Sequence, residues 1–333
     1  MKATKAPRRR QLAATLLATL AAFSLGGCAN PVQAVMATVS APSVDEALGQ
    51  RSATAQAQVS SSALVEGGTL TVGLDTAASA PMCITSQSGA FQGYDVDFAS
   101  ALAEQLGLKV KFVSVSNASQ SLGSSCDVVM GADSASSKNA TVVGSYAEGA
   151  TAFFKKGSAT TVSKADIDGT AVGVQDGSSS QQLLKRSNIQ ATQKGFASLN
   201  AAFDALDAGE VDYVLCDANS GAYLAASYGD ISPVGTIDVP TSMGLAVATA
   251  NTELQDVVKQ AVDKLASNGV VDIIRSKWLG GMDALTDSSQ VSGVVISAAV
   301  TEPTTAESAT VDGATSGIQD GSTAGANAVD ISE

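Results

Sequence analysis

Strand and helix signals alternate along residues 67–282 of this 333-residue chain, and this order constrains the fold more than any other feature. Short apolar runs such as TLTVGLD (69–75), KVKFVSV (109–115) and VDYVLCD (211–217) predict buried strands. Between such runs, apolar residues recur at three- and four-residue spacing, as in YDVDFASALAEQLG (94–107), and predict helices. This alternation indicates an α/β fold with mostly parallel sheets.

The first 27 residues have the pattern of a secretion signal. MKATKAPRRR carries five Lys and Arg residues, and the uncharged run QLAATLLATLAAFSL after it is too short for a comfortable membrane span. The run ends in LGGC (25–28), which resembles the lipid-attachment site of bacterial lipoproteins. That resemblance implies cleavage before Cys28, lipid on its thiol, and an extracytoplasmic protein anchored to the cell membrane. The alternative is a plain signal peptide with an incidental cysteine.

Both flanks of the alternating region have compositions typical of disorder. Residues 28–66 are mostly Ala, Ser, Gln, Val and Thr without a clear period, which predicts a flexible tether. Residues 283–333 contain eight acidic residues and no Lys or Arg, which predicts an acidic, disordered tail. The globular part is therefore expected between residues 67 and 282.

Composition excludes several functional classes. The net charge of −13 argues against a nucleic-acid partner, which would call for a basic surface. The absence of histidine removes the commonest general base and the commonest metal ligand. The four cysteines lack the close CxxC spacing of zinc and redox sites. We therefore predict neither a metal site nor a cofactor.

Seven segments follow one another in the order of a known family. They span about residues 68–281 and read GTLTVGLD, GAFQGYDVDFASALAEQLGLKVKFV, CDVVMGADSASSK, IDGTAVGVQDGSS, ALDAGEVDYVLCDANSGAYL, MGLAVA and LASNGVVDIIRSKWLGG. Together they resemble the bacterial extracellular solute-binding proteins of family 3, the amino-acid receptors of ABC importers. The resemblance implies a type II periplasmic-binding-protein fold, in which two α/β lobes with mostly parallel sheets enclose a central cleft. The first lobe would comprise residues 67–156 and 240–282 and the second residues 157–239, with hinge closure on the ligand.

The loop after the strand CDVVMG (126–131) holds the first candidate contacts. In the family this loop often ends in an arginine that clamps the ligand α-carboxylate, and the corresponding position here is Lys138. Lysine offers a point charge rather than a planar fork. Either Lys138 still binds the carboxylate, or it is an ordinary solvated lysine and this contact is lost. Asp133, with Ser134 beside it, either accepts hydrogen bonds from a ligand ammonium or caps the turn.

Two further loops follow strands that the resemblance places in the second lobe. Gly177, Ser178 and Ser179 lie where the family binds the ligand carboxylate, at a predicted helix N-terminus whose free N–H groups favour an anion. The alternative is that a serine only caps the helix. Asp217 ends the strand VDYVLCD, where family members carry an acid for the ligand α-amino group, and its alternative role is also a helix cap. The acidic residues predict a ligand with a primary ammonium.

The loop after the first strand departs from the family. Residues 75–84, DTAASAPMCI, provide Asp75 and Met82 as candidate contacts in place of the usual aromatic wall. Methionine is adaptable, but it does not stack like an aromatic ring. The pocket is therefore expected to suit a ligand shape other than the usual polar amino acids.

Cysteine placement favours one disulfide. Cys83 and Cys126 both fall in the first lobe, and an oxidising compartment favours a bridge between them if their Cα atoms lie within about 7 Å. Cys216 falls within a strand of the second lobe and is expected to be buried and free.

The leading interpretation is a receptor and not an enzyme. It would be a lipid-anchored monomer that binds an amino acid or related small zwitterion and delivers it to the membrane subunits of an ABC permease. The departures at Lys138 and in the 75–84 loop keep a second interpretation open, a ligand-sensing surface protein without transport. A third is a dehydratase-like enzyme acting on small carboxylates, for which Asp133, Lys138 and Asp217 are the evident acid–base candidates.

Overall fold

Strands in the described part of the chain pair into two five-stranded sheets and one two-stranded ribbon. The structure, a computed structural model, describes residues 57–75, 80–116, 118–133, 139–157 and 160–298. The strands are β1 (Thr69–Leu74), β2 (Ile84–Thr85), β3 (Phe91–Gln92), β4 (Lys109–Ser114), β5 (Val128–Ala132), β6 (Ala140–Gly149), β7 (Thr151–Lys156), β8 (Ala171–Gln175), β9 (Thr192–Phe196), β10 (Tyr213–Asp217), β11 (Ile231–Thr236) and β12 (Thr241–Ala248). The α-helices are α1 (Tyr94–Gln105), α2 (Ala118–Ser121), α3 (Lys164–Ile167), α4 (Ser179–Arg186), α5 (Leu199–Asp207), α6 (Ala218–Ala225), α7 (Thr252–Ser267) and α8 (Val270–Trp278).

Both large sheets mix parallel and antiparallel strands. In the first, of order β4-β1-β5-β12-β6, β1 is parallel to β4 and β5, whereas β12 is antiparallel to β5 and β6. In the second, of order β11-β7-β10-β8-β9, β8 is parallel to β9 and β10, whereas β7 is antiparallel to β10 and β11. The sheets are thus mixed rather than mostly parallel, because β7 and β12, which bring the chain in from the other sheet, run against their neighbours.

The chain crosses from the first sheet to the second at Ala150. β6 ends one residue before it and β7 begins one residue after it. β7 pairs with β10, with Thr151 opposite Asp217, and therefore belongs to the second lobe. The prediction that residues 150–156 lie in the first lobe is wrong, because the strands that pair with them are in the second sheet. The chain returns to the first sheet between β11 and β12.

Helix α1 and strand β1 show how the sequence pattern becomes a packed core. The buried residues of α1 include Phe98, Ala99 and Leu102, at the three- and four-residue spacing expected of one helix face. Every residue of β1 is buried, because apolar clusters cover both faces of the sheet at this strand. The predicted strand 69–75 and the predicted helix 94–107 agree with β1 and α1 to within two residues.

Residues 57–66 pack on the first lobe, although the sequence predicts a flexible tether there. Val59 is buried in the main apolar cluster. The Asp127 carboxylate accepts hydrogen bonds from the N–H groups of Val65 and Thr71, each at 2.7 Å, and so joins this segment to β1. The tether prediction is wrong for these residues. A buried apolar side chain such as Val59 and hydrogen bonds to the Asp127 carboxylate hold the segment on the surface that the first lobe provides.

Residues 283–297 pack on the second lobe, although the sequence predicts a disordered tail from residue 283. Val291 is 1% exposed and lies in an apolar cluster with Phe153. Its N–H donates a hydrogen bond of 2.9 Å to the carbonyl of Thr236. The tail prediction is wrong for this segment. The apolar residues of 283–297 are too few to form a core of their own. They pack instead on the apolar cluster of the second lobe that contains Phe153.

Several predictions concern residues outside those that the structure describes. They are the signal peptide, the lipidation site at Cys28, the tether as far as residue 56, and the acidic tail from residue 299. Among the described helices, none is both long enough and apolar enough to cross a membrane.

Candidate ligand-binding site

A cavity of about 270 Å³ opens at the edge of the first sheet where β1, β4 and β5 end. The carboxyl ends of parallel strands share one edge of a sheet, and ligands of open α/β folds bind there. The antiparallel β12 contributes its beginning to the same edge. The lining includes Asp75, Met82, Asp95, Met130, Gly131 and Met243. The volume suits an amino-acid side chain rather than a larger group.

A second, larger cavity of about 540 Å³ runs along β11 and α6. Its described lining contains Asp283 as its only charged residue, and small side chains such as Ala222 and Gly235 form much of the wall. It follows the length of a strand at the side of the second sheet instead of opening beyond the strand ends. The smaller cavity in the first lobe is therefore the candidate site, because charged groups and strand ends converge on it.

Three methionines give the candidate cavity a soft apolar wall. Met82 and Met130 are buried, and Met243 lies beside two glycines. A Cβ atom on Gly131 would be 3.8 Å from Met243 Cε, and one on Gly149 would be 3.6 Å from Met243 Sδ. Thioether side chains are unbranched and polarisable, so this wall adapts to the shape of an aliphatic stem.

The start of α1 holds Asp95 beside Met82 in the cavity wall. The helix has Gly93 at its N-cap and no capping side chain. Instead, the N–H groups of Tyr94 and Asp95 donate to the carbonyls of Pro81 and Met82, at 2.9 and 3.1 Å. Gly93 has φ of 132°, and a Cβ atom there would lie 2.4 Å from the Met82 carbonyl oxygen. Only glycine allows this approach.

Asp95 is the buried polar end of the cavity. It is 5% exposed, and its Oδ1 accepts a hydrogen bond of 2.6 Å from the Tyr146 hydroxyl. That hydroxyl accepts in turn from the Gly131 N–H at 2.9 Å. Burial raises the pKa of Asp95 to about 7, and the hydrogen bond from Tyr146 offsets part of this rise. Burial, with the nearby Asp95 charge, raises the pKa of Tyr146 well above its ordinary value, so its hydroxyl stays a donor.

The first-lobe contacts predicted from sequence divide into three groups. Asp75 and Met82 line the cavity. Asp133 is exposed and directly follows β5, one residue beyond the lining residue Ala132. Ser134 and Lys138 lie outside the described residues, so their predicted ligand contacts stay predictions.

The second-lobe contacts lie at the carboxyl ends of β8 and β10, which are parallel and share one sheet edge. Ser178 caps α4, since its Oγ accepts from the Gln181 N–H at 3.1 Å, and the Gly177 N–H donates to Gln181 Oε1 at 3.0 Å. Ser179 is the first residue of α4. Asp217 caps α6, since its Oδ1 accepts from the Ser220 N–H at 2.8 Å. The capping roles that the sequence left open are thus present, and the ligand roles stay predictions.

Sequence reasoning missed Asp95, Tyr146 and Met243. A signal for Asp95 was available, because it precedes Phe98 by three residues and Ala99 by four and so shares the buried face of α1. Tyr146 carried no local signal, since it lies in β6, which the pattern did not predict. Its role comes from its contact with a residue 51 positions earlier in the chain.

The predicted disulfide between Cys83 and Cys126 is absent. Both thiols are free and buried, and they belong to different apolar clusters. Cys126 packs close to β1, where a Cβ atom on Gly73 would lie 3.1 Å from its Sγ. Burial raises the pKa of both thiols to about 11. Cys216 is also buried and free, as predicted.

The family model and the relatives that match this chain all describe solute-binding proteins. The family model for bacterial extracellular solute-binding proteins, family 3, matches residues 70–281. The L-cystine-binding protein TcyJ of Escherichia coli K12 is 27% identical over 225 residues, which are 65% of this chain and 84% of the relative. The arginine-binding periplasmic protein of Mannheimia haemolytica is 25% identical over 215 residues, which are 60% of this chain and 87% of the relative.

A solved structure extends the comparison to the fold. The L-cystine solute receptor of Neisseria gonorrhoeae, unliganded and open, matches with a TM-score of 0.55 and 22% identity, over 67% of this chain and 94% of the receptor. This likeness confirms the predicted two-lobed, type II periplasmic-binding-protein fold. The two curated relatives are binding proteins, which supports a binding protein rather than an enzyme.

Proposed function

Since this chain belongs to the bacterial extracellular solute-binding proteins of family 3, we propose that it is the amino-acid receptor of an ABC importer. In this proposal it binds one amino acid at the facing sheet edges of its two lobes and delivers it to the membrane subunits of the permease. A lipid on Cys28 holds it at the outer face of the cell membrane.

The cavity at the ends of β1, β4 and β5 carries the proposal. Its volume of about 270 Å³ suits the side chain of an amino acid, and its methionine wall suits an aliphatic stem. Two acidic residues line the cavity and supply polar contacts: Asp75, which is exposed, and Asp95, which is buried. The side chain of the ligand would enter this cavity, and its α-amino and α-carboxylate groups would remain between the lobes.

The second lobe would bind the zwitterionic end of the ligand. Asp217 is exposed at the end of β10, and only its Oδ1 is used by the described cap, so the carboxylate can also accept from an ammonium. Gly177, Ser178 and Ser179 form the start of α4, where the helix dipole favours a carboxylate. Lys138 would add a cation to the carboxylate side.

A thermal-shift screen of the full-length chain in detergent tests this function. The probes are single L-amino acids, with L-lactate and glycerol as matched compounds that lack an ammonium. An amino acid present at one hundred times its Kd would stabilise the protein by about 2.7 kcal/mol, seen as a rise in Tm. Stabilisation by no amino acid would contradict the proposal, and so would equal stabilisation by L-lactate.

The anchor needs a separate experiment because it does not depend on the ligand site. The wild-type chain and the Cys28→Ser variant are expressed in a lipoprotein-processing bacterium and fractionated. The wild type is expected in the membrane fraction with a mass that includes acyl chains, and the variant in the soluble extracytoplasmic fraction. An unmodified Cys28 would show that the leader is a plain signal peptide.

A further inference from the structure

Asp95 is a buried carboxyl group that faces a cavity and lacks a cation among the described residues. The structure describes six ion pairs, among them Arg275 with Glu148 and Lys277 with Asp97, and none of the six includes Asp95. The Tyr146 hydroxyl is the donor to Asp95 Oδ1. The other titratable groups around it are Asp75 after β1, Cys83 before β2, and Tyr94 on its own helix, with Arg275, Glu148 and Asp272 interacting with Tyr94.

These neighbours leave the charge of Asp95 uncompensated when it ionises. Asp75 lines the same cavity and is another acid, whereas Tyr94, Tyr146 and Cys83 are neutral because burial raises the pKa of each of them. A buried carboxylate without a compensating cation is costly, so the free protein retains a proton on Asp95 up to about pH 7. A positively charged group in the cavity would compensate the carboxylate in place of that proton.

We infer that the cavity binds the cationic side chain of an amino acid and that its ammonium or guanidinium group displaces the proton of Asp95. The inference rests on the proposed amino-acid receptor and adds its ligand class. The neutral carboxyl group loses its proton to the solvent, and the carboxylate then pairs with the cation. The aliphatic stem of the ligand packs on Met82, Met130 and Met243. The number of protons released per bound ligand therefore equals the protonated fraction of Asp95 in the free protein, and it is at most one.

The same cavity disfavours other amino-acid side chains. A ligand with a second carboxylate at its far end would place that charge next to Asp75 and Asp95, with like-charge repulsion in a partly buried site. A neutral side chain could bind only with Asp95 protonated, and it would release no proton. L-arginine and L-citrulline therefore form a matched pair of probes, because their shapes are alike and only arginine is charged.

Isothermal titration calorimetry of the full-length chain in detergent tests the inference. L-arginine is titrated at pH 6.5 in phosphate and in imidazole, whose ionisation enthalpies differ. We expect arginine binding to release protons at this pH, and the affinity for arginine to rise with pH until Asp95 of the free protein is ionised and then to level off. L-citrulline is expected to bind more weakly and to release no proton.

Two variants test whether the proton released on arginine binding comes from Asp95 or from Asp75. Asp95→Asn should abolish the proton release and weaken arginine binding, while Asp75→Asn should weaken binding and keep the release. If Asp95→Asn does not fold, Tyr146→Phe replaces it. That variant removes the donor that stabilises the ionised carboxylate, so half-maximal proton release should move to higher pH.

The outcomes separate this inference from the receptor proposal. Arginine binding without proton release would overturn the inference alone, as would equal affinity for citrulline or proton release that survives Asp95→Asn. A neutral amino acid as the sole ligand would also overturn it and leave the receptor proposal intact. Absence of binding by every amino acid would overturn both.

Discussion

The Glu148 carboxylate and the Arg275 guanidinium form an ion pair, with 3.0 Å between Oε2 and Nη1. Glu148 lies two residues before Ala150, where the chain crosses to the second lobe. The Glu148 side chain is 21% exposed and that of Arg275 is 10% exposed, so the pair is largely shielded from water. The Glu148 carbonyl also accepts a hydrogen bond of 3.0 Å from Asn219 Nδ2 of the second lobe. Glu148 therefore contacts both lobes next to the crossing at Ala150.

Arg275→Met should destabilise the protein because it leaves the Glu148 carboxylate unpaired in a shielded position. We expect a loss of about 2–4 kcal/mol in the free energy of unfolding, measured by urea titration. Lys259→Met is the control, since Lys259 pairs with Asp263 on α7 and both side chains are 61% exposed. Its cost should be below about 0.5 kcal/mol. Equal costs would mean that burial does not strengthen the Glu148–Arg275 pair.

Gly221→Ala should disrupt the packing of α6 against β7 and β10. A Cβ atom on Gly221 would lie 2.2 Å from Phe154 Cε2 and 2.6 Å from Cys216 Sγ, so the two elements must move apart. We expect a loss of about 1–3 kcal/mol in unfolding free energy, despite the better helix propensity of alanine. Gly229→Ala meets no atom within 4 Å and should change stability little. A stable Gly221→Ala variant would show that α6 packs less tightly than described.

Two substitutions at Asp217 separate helix capping from ligand binding. Asp217→Asn keeps an oxygen that can accept from the Ser220 N–H, whereas Asp217→Ala removes the cap. Without ligand, only the alanine variant should lose about 1 kcal/mol of unfolding free energy, measured by thermal unfolding. Both variants should lose most of the ligand-induced rise in Tm. Binding by Asp217→Asn at wild-type strength would leave Asp217 with the cap alone.

Asp95 should make the free protein less stable as pH rises. Its folded-state pKa of about 7 lies above its ordinary value of 3.8, so the folded state binds the proton more tightly. The stability contribution is therefore full below about pH 4, falls between pH 4 and 7, and stays low above pH 7. Asp95→Asn removes this loss and keeps an acceptor for Tyr146.

Urea titrations at pH 5 and pH 8 measure the effect. The free energy of unfolding of Asp95→Asn minus that of the wild type should be about 1–3 kcal/mol larger at pH 8 than at pH 5. The difference between variant and wild type isolates Asp95 from Asp127 and Asp238, whose pKa values burial also raises. Asp256→Asn, at an exposed position of α7, is the matched control for the loss of one carboxylate. If the effect of Asp95→Asn on the free energy of unfolding is the same at both pH values, the pKa of Asp95 is not raised in the folded protein.

The segment 283–297 should be needed for the stability of the second lobe. A chain that ends after Met282 would lose Val291 from its apolar cluster, at a cost of at least about 2 kcal/mol of unfolding free energy. A chain that ends after Ser297 keeps these contacts and is the matched control, expected to be more stable than the chain that ends after Met282. Val291→Ala should cost about 1–3 kcal/mol. Val295→Ala, at a position that is 64% exposed, should cost little. Equal stability of the two shortened chains would mean that the segment is dispensable.

Local patterns in the sequence predicted most of the elements around the site. The apolar run 69–75 and the helical spacing in 94–107 correspond to β1 and α1, because each pattern fits only one regular backbone period. The break at residues 268–269 likewise separates α7 from α8. β6 was missed because ATVVGSYAEG is rich in small residues and does not alternate. It becomes a strand through its pairing with β12, about one hundred residues later.

The sequence alone thus determined the family resemblance and those strands and helices whose apolar residues follow a clear period, since these depend on neighbouring residues. Tertiary packing determined the burial of Asp95 against Tyr146, the free state of Cys83 and Cys126, and the order of residues 283–297. Each of these depends on a partner far away in the chain. A carboxyl group, a thiol or a short apolar run acquires its pKa, bonding or order only when folding removes water from it and supplies that partner.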